Sequence, residues 1–188
     1  MKQIQFLIPF LFLSLCSFGQ YDFDRPTGKI GTYLANDNSR FLGDTMLSFS
    51  GWGIDGKHYS KNDLKSKITF INFWFSACTP CINELGDLKK LYGKYSTNTN
   101  FRFISFTFDA VDLTKKTIGS YHLPYNVINL SDKECNDLNF GQGYPTNFIV
   151  DNTGHIVKIS TGREIFKEQN YFENKIYLVL DSLLKFNK

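Results

Sequence analysis

The sequence predicts an α/β domain built on a mixed β-sheet with helices on both faces, and three features carry that prediction. Ile68-Thr69-Phe70-Ile71-Asn72-Phe73-Trp74-Phe75 is a nearly unbroken β-branched and aromatic run, the pattern of a strand buried on both faces. The apolar residues that follow, Ile82, Leu85, Leu88, Leu91, Tyr92 and Tyr95, recur at helical spacing. Further on, Asp151-Asn152-Thr153-Gly154 joins two extended apolar segments through a tight turn, so those two strands run antiparallel. The order strand, helix, strand, helix, hairpin, helix then requires a mixed sheet covered on each side.

Residues 1–19 stand apart from this domain. Lys2 supplies a short positive region, Ile4 to Phe18 is an apolar run, and Ser17-Phe18-Gly19 puts small residues just before Gln20. This reads as a secretory signal cleaved near Gly19-Gln20, leaving a periplasmic or otherwise extracytoplasmic protein. Two other readings fit less well. An uncleaved anchor is disfavoured because the run is short of the ~20 residues that span a bilayer. A lipoprotein acylated at Cys16 is disfavoured because Leu15 sits where such signals carry a small residue.

Residues 20–52 are polar and rich in Gly, Asn and Asp, with short apolar stretches such as Met46 to Phe49. They read as an N-terminal extension ending in an edge strand, and 53–188 as the folded domain. Ile54-Asp55-Gly56-Lys57 is a hairpin turn, and Ser60 caps a helical turn through Leu64. After the buried strand, Pro80 is tolerated near the helix start because first-turn amides have no partner inside the helix. Phe101 to Phe108 is a second long strand. Asp112 or Thr114 opens the next helix, which stops before Pro124. Val127-Ile128 is a short strand and Lys133 to Leu138 a helical turn. Tyr144 to Val150 and Ile156 to Ser160 form the hairpin. Phe172, Ile176, Val179, Leu180, Leu183 and Leu184 mark the final helix.

At 42% apolar and 16% aromatic residues the chain can fill a core, which excludes disorder, collagen and coiled coil. Its 21 basic and 18 acidic residues leave no large positive excess for a nucleic-acid partner. Four cysteines are too few for a disulfide-dense scaffold but enough for a redox pair or half a zinc site.

Cys78-Thr79-Pro80-Cys81 lies where the buried strand turns into a helix, and the helix N-terminus favours a thiolate at the first cysteine. A thiol of pKa ~8.5 is about 3% ionised at pH 7, and one lowered to ~7 about half ionised. Lower basicity returns roughly five-fold of that gain, so attack improves only about three-fold. The larger effect is on equilibrium, where a stabilised thiolate makes the pair more oxidising. Zinc would need two more ligands, yet Cys135, His58, His122 and His155 supply no second CxxC or HxxxH. A structural disulfide over so short a loop would constrain the unfolded chain little. No metal or cofactor is expected.

The run Asn72 to Glu84 (NFWFSACTPCINE), together with Gly143 to Gly154 (GYPTNFIVDNTG), resembles the thioredoxin-like family, in its extracytoplasmic thiol-disulfide oxidoreductases of the TlpA/ResA type. The resemblance extends from about Gly53 through Asp63-Leu64-Lys65-Ser66-Lys67 to the C-terminal helix. It implies a thioredoxin fold and a redox-active disulfide, with Cys78 the exposed nucleophile and Cys81 the buried resolving thiol. Pro145 would be a cis proline facing the pair. Tyr144, Pro145, Thr146 and Trp74 would form the substrate face, with a peptide added as a strand along Tyr144. Glu84 matches the acidic residue that follows the second cysteine in the ResA type. It shares a helix face with Cys81 for proton exchange, or else merely complements the helix dipole.

Asn72 stands where cytoplasmic thioredoxins carry a buried aspartate, so that proton shuttle is absent. Ala77 replaces the tryptophan usual before the first cysteine, and Leu85-Gly86 lacks the proline usual after the glutamate. Both departures bear on partner choice and potential. Cys135 reads as a buried free thiol or else as an accessory one. The partners implied are disulfide-bearing proteins and a membrane electron donor of the DsbD/CcdA type. Two alternatives remain. One is a non-catalytic thioredoxin-like module that holds peptides along the Tyr144 edge. The other is a peroxiredoxin-like thiol peroxidase, whose Pro-x-x-x-Thr-x-x-Cys setting residues 71–78 lack.

Overall fold

The structure is a computed structural model and describes residues 38–186. The expected signal segment, with Cys16, and residues 20–37 lie outside the described residues. Within them, seven strands form one sheet: β1 (Ser50–Gly53), β2 (His58–Ser60), β3 (Ile68–Trp74), β4 (Phe101–Thr107), β5 (Val127–Asn129), β6 (Thr146–Val150) and β7 (Ile156–Thr161). Their order is β2-β1-β5-β4-β3-β6-β7, with β3, β4 and β5 parallel, β1 and β6 antiparallel to them, and β2 and β7 antiparallel in turn to β1 and β6. The helices are α1 (Thr79–Tyr95), α2 (Val111–Tyr121), α3 (Asp132–Leu138), α4 (Gly162–Ile165) and α5 (Leu178–Phe186). None is long and apolar enough to cross a membrane.

Every residue of β3 is buried, as its unbroken apolar run predicts for a central strand. Alternation along it sorts the core into two layers. Ile68, Phe70 and Trp74 cluster with Leu85, Leu88 and Leu91 of α1 and Leu180 and Leu184 of α5. Ile71 and Phe73 cluster on the other face with Met46, Phe49, Leu64 and the α3 residues Cys135 and Leu138. The β3-α1-β4 and β4-α2-β5 crossovers advance the sheet in one direction, so right-handed connections put α1 and α2 on the same face. Ile118 of α2 accordingly packs on the α1 layer.

The domain starts earlier than expected. Gly43 N donates to Ile156 O at 2.8 Å, Ile156 N to Asp44 O at 2.9 Å, and Met46 N to Gly154 O at 3.0 Å. Met46 is fully buried, so the folded unit includes residues well ahead of Gly53. This pairing covers the start of β7, which would otherwise be an open sheet edge. The strand at Ser50–Gly53 is also interior, between β2 and β5, with β2 at the edge.

Smaller differences concern helix ends. α2 opens at Ala110 without a side-chain cap, not at Asp112 or Thr114. The short α4, capped by Thr161 with Glu164, was not expected, and the final helix begins as a π-helical turn over Phe172–Tyr177. The turn after Ser60 forms as expected, with Ser60 N donating to Asp63 Oδ2 at 2.8 Å.

Candidate active site

Cys78 is the N-cap of α1, where its sulfur accepts the backbone N–H of Cys81 at 3.2 Å. Cys78 and Cys81 are joined as a disulfide, with Cα atoms 5.2 Å apart. The turn that delivers Cys78 is held twice: Cys78 N donates to Phe75 O at 3.1 Å, and Ser76 N donates to Asp109 Oδ2 at 2.7 Å. Asp109 is the second residue after β4, and its own carbonyl accepts Asn129 Nδ2 at 2.7 Å. Through its carboxylate and its backbone carbonyl, this one residue couples the ends of β3, β4 and β5 at the site.

Cys81 is 1% exposed and Cys78 6%. The order is the expected one, but the expectation of an openly exposed Cys78 is corrected: in the disulfide it keeps only a sliver of surface. The Tyr144–Pro145 peptide bond is cis. Because Phe73 pairs with Thr146, Tyr144-Pro145 falls beyond the last rung between β3 and β6, beside Trp74-Phe75. Pro145 O accepts Gly162 N at 2.9 Å.

Three residues expected on the substrate face are buried: Pro145, Trp74 and Thr146. Trp74 is fully buried and its indole Nε1 donates to Ser105 Oγ at 2.8 Å. Thr146 is fully buried and its hydroxyl donates to Gly143 O at 2.8 Å. Trp74 and Thr146 face inward because their strand positions are covered by neighbouring layers. In their place Tyr144 stands in an aromatic cluster with Phe75 and Phe108, two rings that the sequence did not single out for the site. Phe75 and Tyr144 meet edge to face at 5.4 Å, Phe75 and Phe108 at 5.0 Å, and Phe108 and Tyr144 at 5.5 Å. All three are partly exposed.

Glu84 lies three residues after Cys81 on the inward face of α1 and is 1% exposed. Its Oε1 accepts Asn72 Nδ2 at 2.9 Å and Asn147 Nδ2 at 3.1 Å, while Oε2 is buried without a partner. Burial pushes its carboxyl up to about 8, with Asp87 adding to the rise and the two amides opposing it. A glutamate that merely complemented the helix dipole would sit in solvent. The two asparagines belong to a polar row at one level of the sheet. Ser105, Asn72, Asn147 and Ser160 are successive partners across β4, β3, β6 and β7.

Cys135 is fully buried, and burial pushes its thiol up to about 12, which keeps it neutral and unreactive at physiological pH. Among the described residues no group of three or more His, Cys, Asp or Glu side chains is arranged to hold a metal ion.

A dithiol at the start of the helix that follows the central strand belongs to thioredoxin-like thiol-disulfide oxidoreductases, and comparison with known proteins agrees. The chain belongs to the AhpC/TSA family, whose sequence model matches residues 42–159. It is similar to the thiol-disulfide oxidoreductase ResA of Bacillus thuringiensis (strain Al Hakam), 27% identical over 146 residues that cover 77% of this chain and 83% of that one. Among solved structures it resembles a thiol:disulfide interchange protein from Bacteroides sp., with TM-score 0.58 and 25% identity over 67% of this chain and 86% of that one. A thiol-disulfide oxidoreductase from Bacteroides fragilis shares the fold, with TM-score 0.60 and 21% identity over 72% and 99% of the two chains.

Proposed function

We propose that the protein is an exported thiol-disulfide oxidoreductase that reduces or exchanges disulfides in other proteins through Cys78 and Cys81. The observation that carries this reading is the Cys78–Cys81 disulfide at the N-terminus of α1, one helical turn from the sealed carboxyl of Glu84. In the reduced pair the Cys78 thiolate attacks one sulfur of a substrate disulfide. The other substrate sulfur leaves as a thiolate and takes up a proton, and a mixed disulfide forms. Cys81 then gives its proton to the Glu84 carboxylate and attacks the Cys78 sulfur, expelling the second substrate sulfur, which is protonated in turn. Two electrons pass to the substrate and the Cys78–Cys81 disulfide results.

Glu84 suits this step because its titration near 8 lies close to that of an ordinary thiol at ~8.5, so the proton moves with little driving force lost either way. Return to the dithiol requires a dithiol donor, for which a membrane electron carrier of the DsbD/CcdA type has the right chemistry. Substrate peptide would lie along Tyr144 beside Pro145, with its side chains against Phe75 and Phe108. Export rests on the signal-like residues 1–19, cleaved near Gly19-Gln20. The folded domain would follow an N-terminal arm and begin well ahead of Gly53.

A Cys81→Ser variant tests the reading, since it should hold substrates as mixed disulfides at Cys78 that dithiothreitol releases. A Cys78→Ser variant should hold none. Equal recovery from both variants, or none from either, would leave a non-catalytic binding module instead.

A further inference from the structure

The buried polar row has a direction, and chemistry forces it. An indole N–H can only donate, and Trp74 Nε1 donates to Ser105 Oγ at 2.8 Å. Ser105 spends its one hydroxyl proton on Asn72 Oδ1 at 3.3 Å. With its oxygen so engaged, Asn72 turns its nitrogen the other way, donating to Asn147 Oδ1 and to Glu84 Oε1, each at 2.9 Å. Asn147, its oxygen also taken, donates from its nitrogen to the same Glu84 Oε1 at 3.1 Å. Flipping either amide would set its oxygen against Glu84 Oε1, and flipping Asn147 would also set its nitrogen against that of Asn72, in a place closed to water. Both lines of donors therefore end on one oxygen, and Glu84 Oε2 is left unpartnered.

We propose that Trp74, Ser105, Asn72 and Asn147 are positioning residues for Glu84: the relay makes Oε1 a permanent acceptor, so the proton that Glu84 exchanges is carried on Oε2. This rests on the reading of Glu84 as the proton partner of Cys81. A carboxylic acid has room for one proton, and an oxygen already receiving two N–H donors is the poorer place for it. The relay stabilises the carboxylate through two donors, holding down a carboxyl that burial drives up. The other groups that bear on Glu84 are Asp87 from α1 and Tyr125 before β5, and Lys90 of α1 lines the cavity beside it. From the segment between β7 and α5, Glu168, Tyr171 and Glu173 line the same cavity, of about 130 Å³. The strands at this level bring only amides and hydroxyls. None of these charged groups is altered in the variants that test the relay.

The test is the titration of Glu84 in the oxidised protein lacking residues 1–19, followed by carboxyl ¹³C NMR with glutamate labelling. Trp74→Phe removes a donor three hydrogen bonds from Glu84 and frees Ser105 and Asn72 to reverse. Its Glu84 midpoint is expected to rise by about one pH unit. Ser105→Ala should act in the same direction and keeps the test alive if Trp74→Phe does not fold, while Ser105→Thr, which restores a hydroxyl, should return the midpoint toward the parent. Folded variants whose midpoint does not move would show that Trp74 and Ser105 only pack, and would overturn the relay. Glu84→Gln separates the two claims. If it leaves the pH profile of disulfide exchange unchanged, the proton role of Glu84 fails, whatever the midpoints of the relay variants do.

Discussion

Asp109 Oδ2 accepts the backbone N–H of Ser76 at 2.7 Å, so a side chain at the end of one parallel strand clamps the turn that presents Cys78 at the end of the next. A backbone amide in a part-buried turn that loses its acceptor costs about 1–3 kcal/mol. Asp109→Ala should therefore lower stability by about that much in urea unfolding and slow disulfide exchange several-fold. Asp109→Asn keeps an acceptor oxygen and should recover most of both.

The buried carboxyl of Glu84 makes stability depend on pH with a definite sign. Its titration is raised from 4.5 to about 8, so the folded protein binds more protons than the unfolded chain between those values. Stability contributed this way is complete below about 4.5 and is lost as pH rises to about 8. Each unit of pKa difference is worth about 1.4 kcal/mol, so the decline across the window should amount to a few kcal/mol. Unfolding of the oxidised protein at pH 5, 7 and 9 should show it. Glu84→Gln should flatten the curve and exceed the parent in stability at pH 9.

The cluster of Phe75, Phe108 and Tyr144 predicts a split between substrates. Phe108→Ala removes one wall of an apolar surface that only a peptide is large enough to use. KM for a protein disulfide should rise several-fold with kcat nearly kept, while reaction with a small aromatic disulfide stays near the parent rate. A parallel loss with both substrates would mean that the ring supports Cys78 itself.

Gly162 is a sequence position with no margin for a side chain. A Cβ there would stand 2.8 Å from Pro145 Cδ. Gly162→Ala should cost about 1–3 kcal/mol by overpacking and weaken protein-substrate binding, because the displaced proline lies next to Tyr144. Thermal unfolding with substrate kinetics would measure both.

Cys135 should be silent in the native state. In protein lacking residues 1–19, a thiol reagent should label no cysteine of the oxidised form until denaturant is added, then one. Cys135→Ala should retain disulfide exchange, at about 1 kcal/mol in stability for the small cavity it leaves.

Much of this architecture was legible in local sequence. β3 declared itself by its unbroken run, α1 by its spacing of three and four, and the β6–β7 hairpin by Asp-Asn-Thr-Gly, because each signal lies within a few consecutive residues. The cysteine pair and Glu84 were legible from the motif. What was not legible depends on register. Asn72, Ser105 and Asn147 become neighbours only when three strands pair at one level, and no window of the chain contains all three. Asp109 lies just past a long strand with no motif around it, and its clamp on Ser76 is a contact across 33 positions. The resemblance puts Trp74 and Thr146 on the substrate face, but their strands are covered on both faces, so both side chains are buried. The segment from Phe41 to Trp52 was hidden for a related reason. Its apolar residues are spaced by polar ones, and Gly43 to Met46 are held by backbone hydrogen bonds to β7 and its turn, which side-chain pattern does not reveal.

The central claim is that Cys78 and Cys81 cycle as a redox pair within the folded protein. Its most direct measurement is the thiol state of the pair at equilibrium in a graded series of dithiothreitol or glutathione buffers, read by mass after alkylation, with folding followed in the same samples. The account predicts one two-electron transition, about 30 mV per tenfold change in the buffer ratio, with native structure kept at both ends and the transition absent in Cys78→Ser. A pair that stays oxidised until the protein unfolds would contradict it.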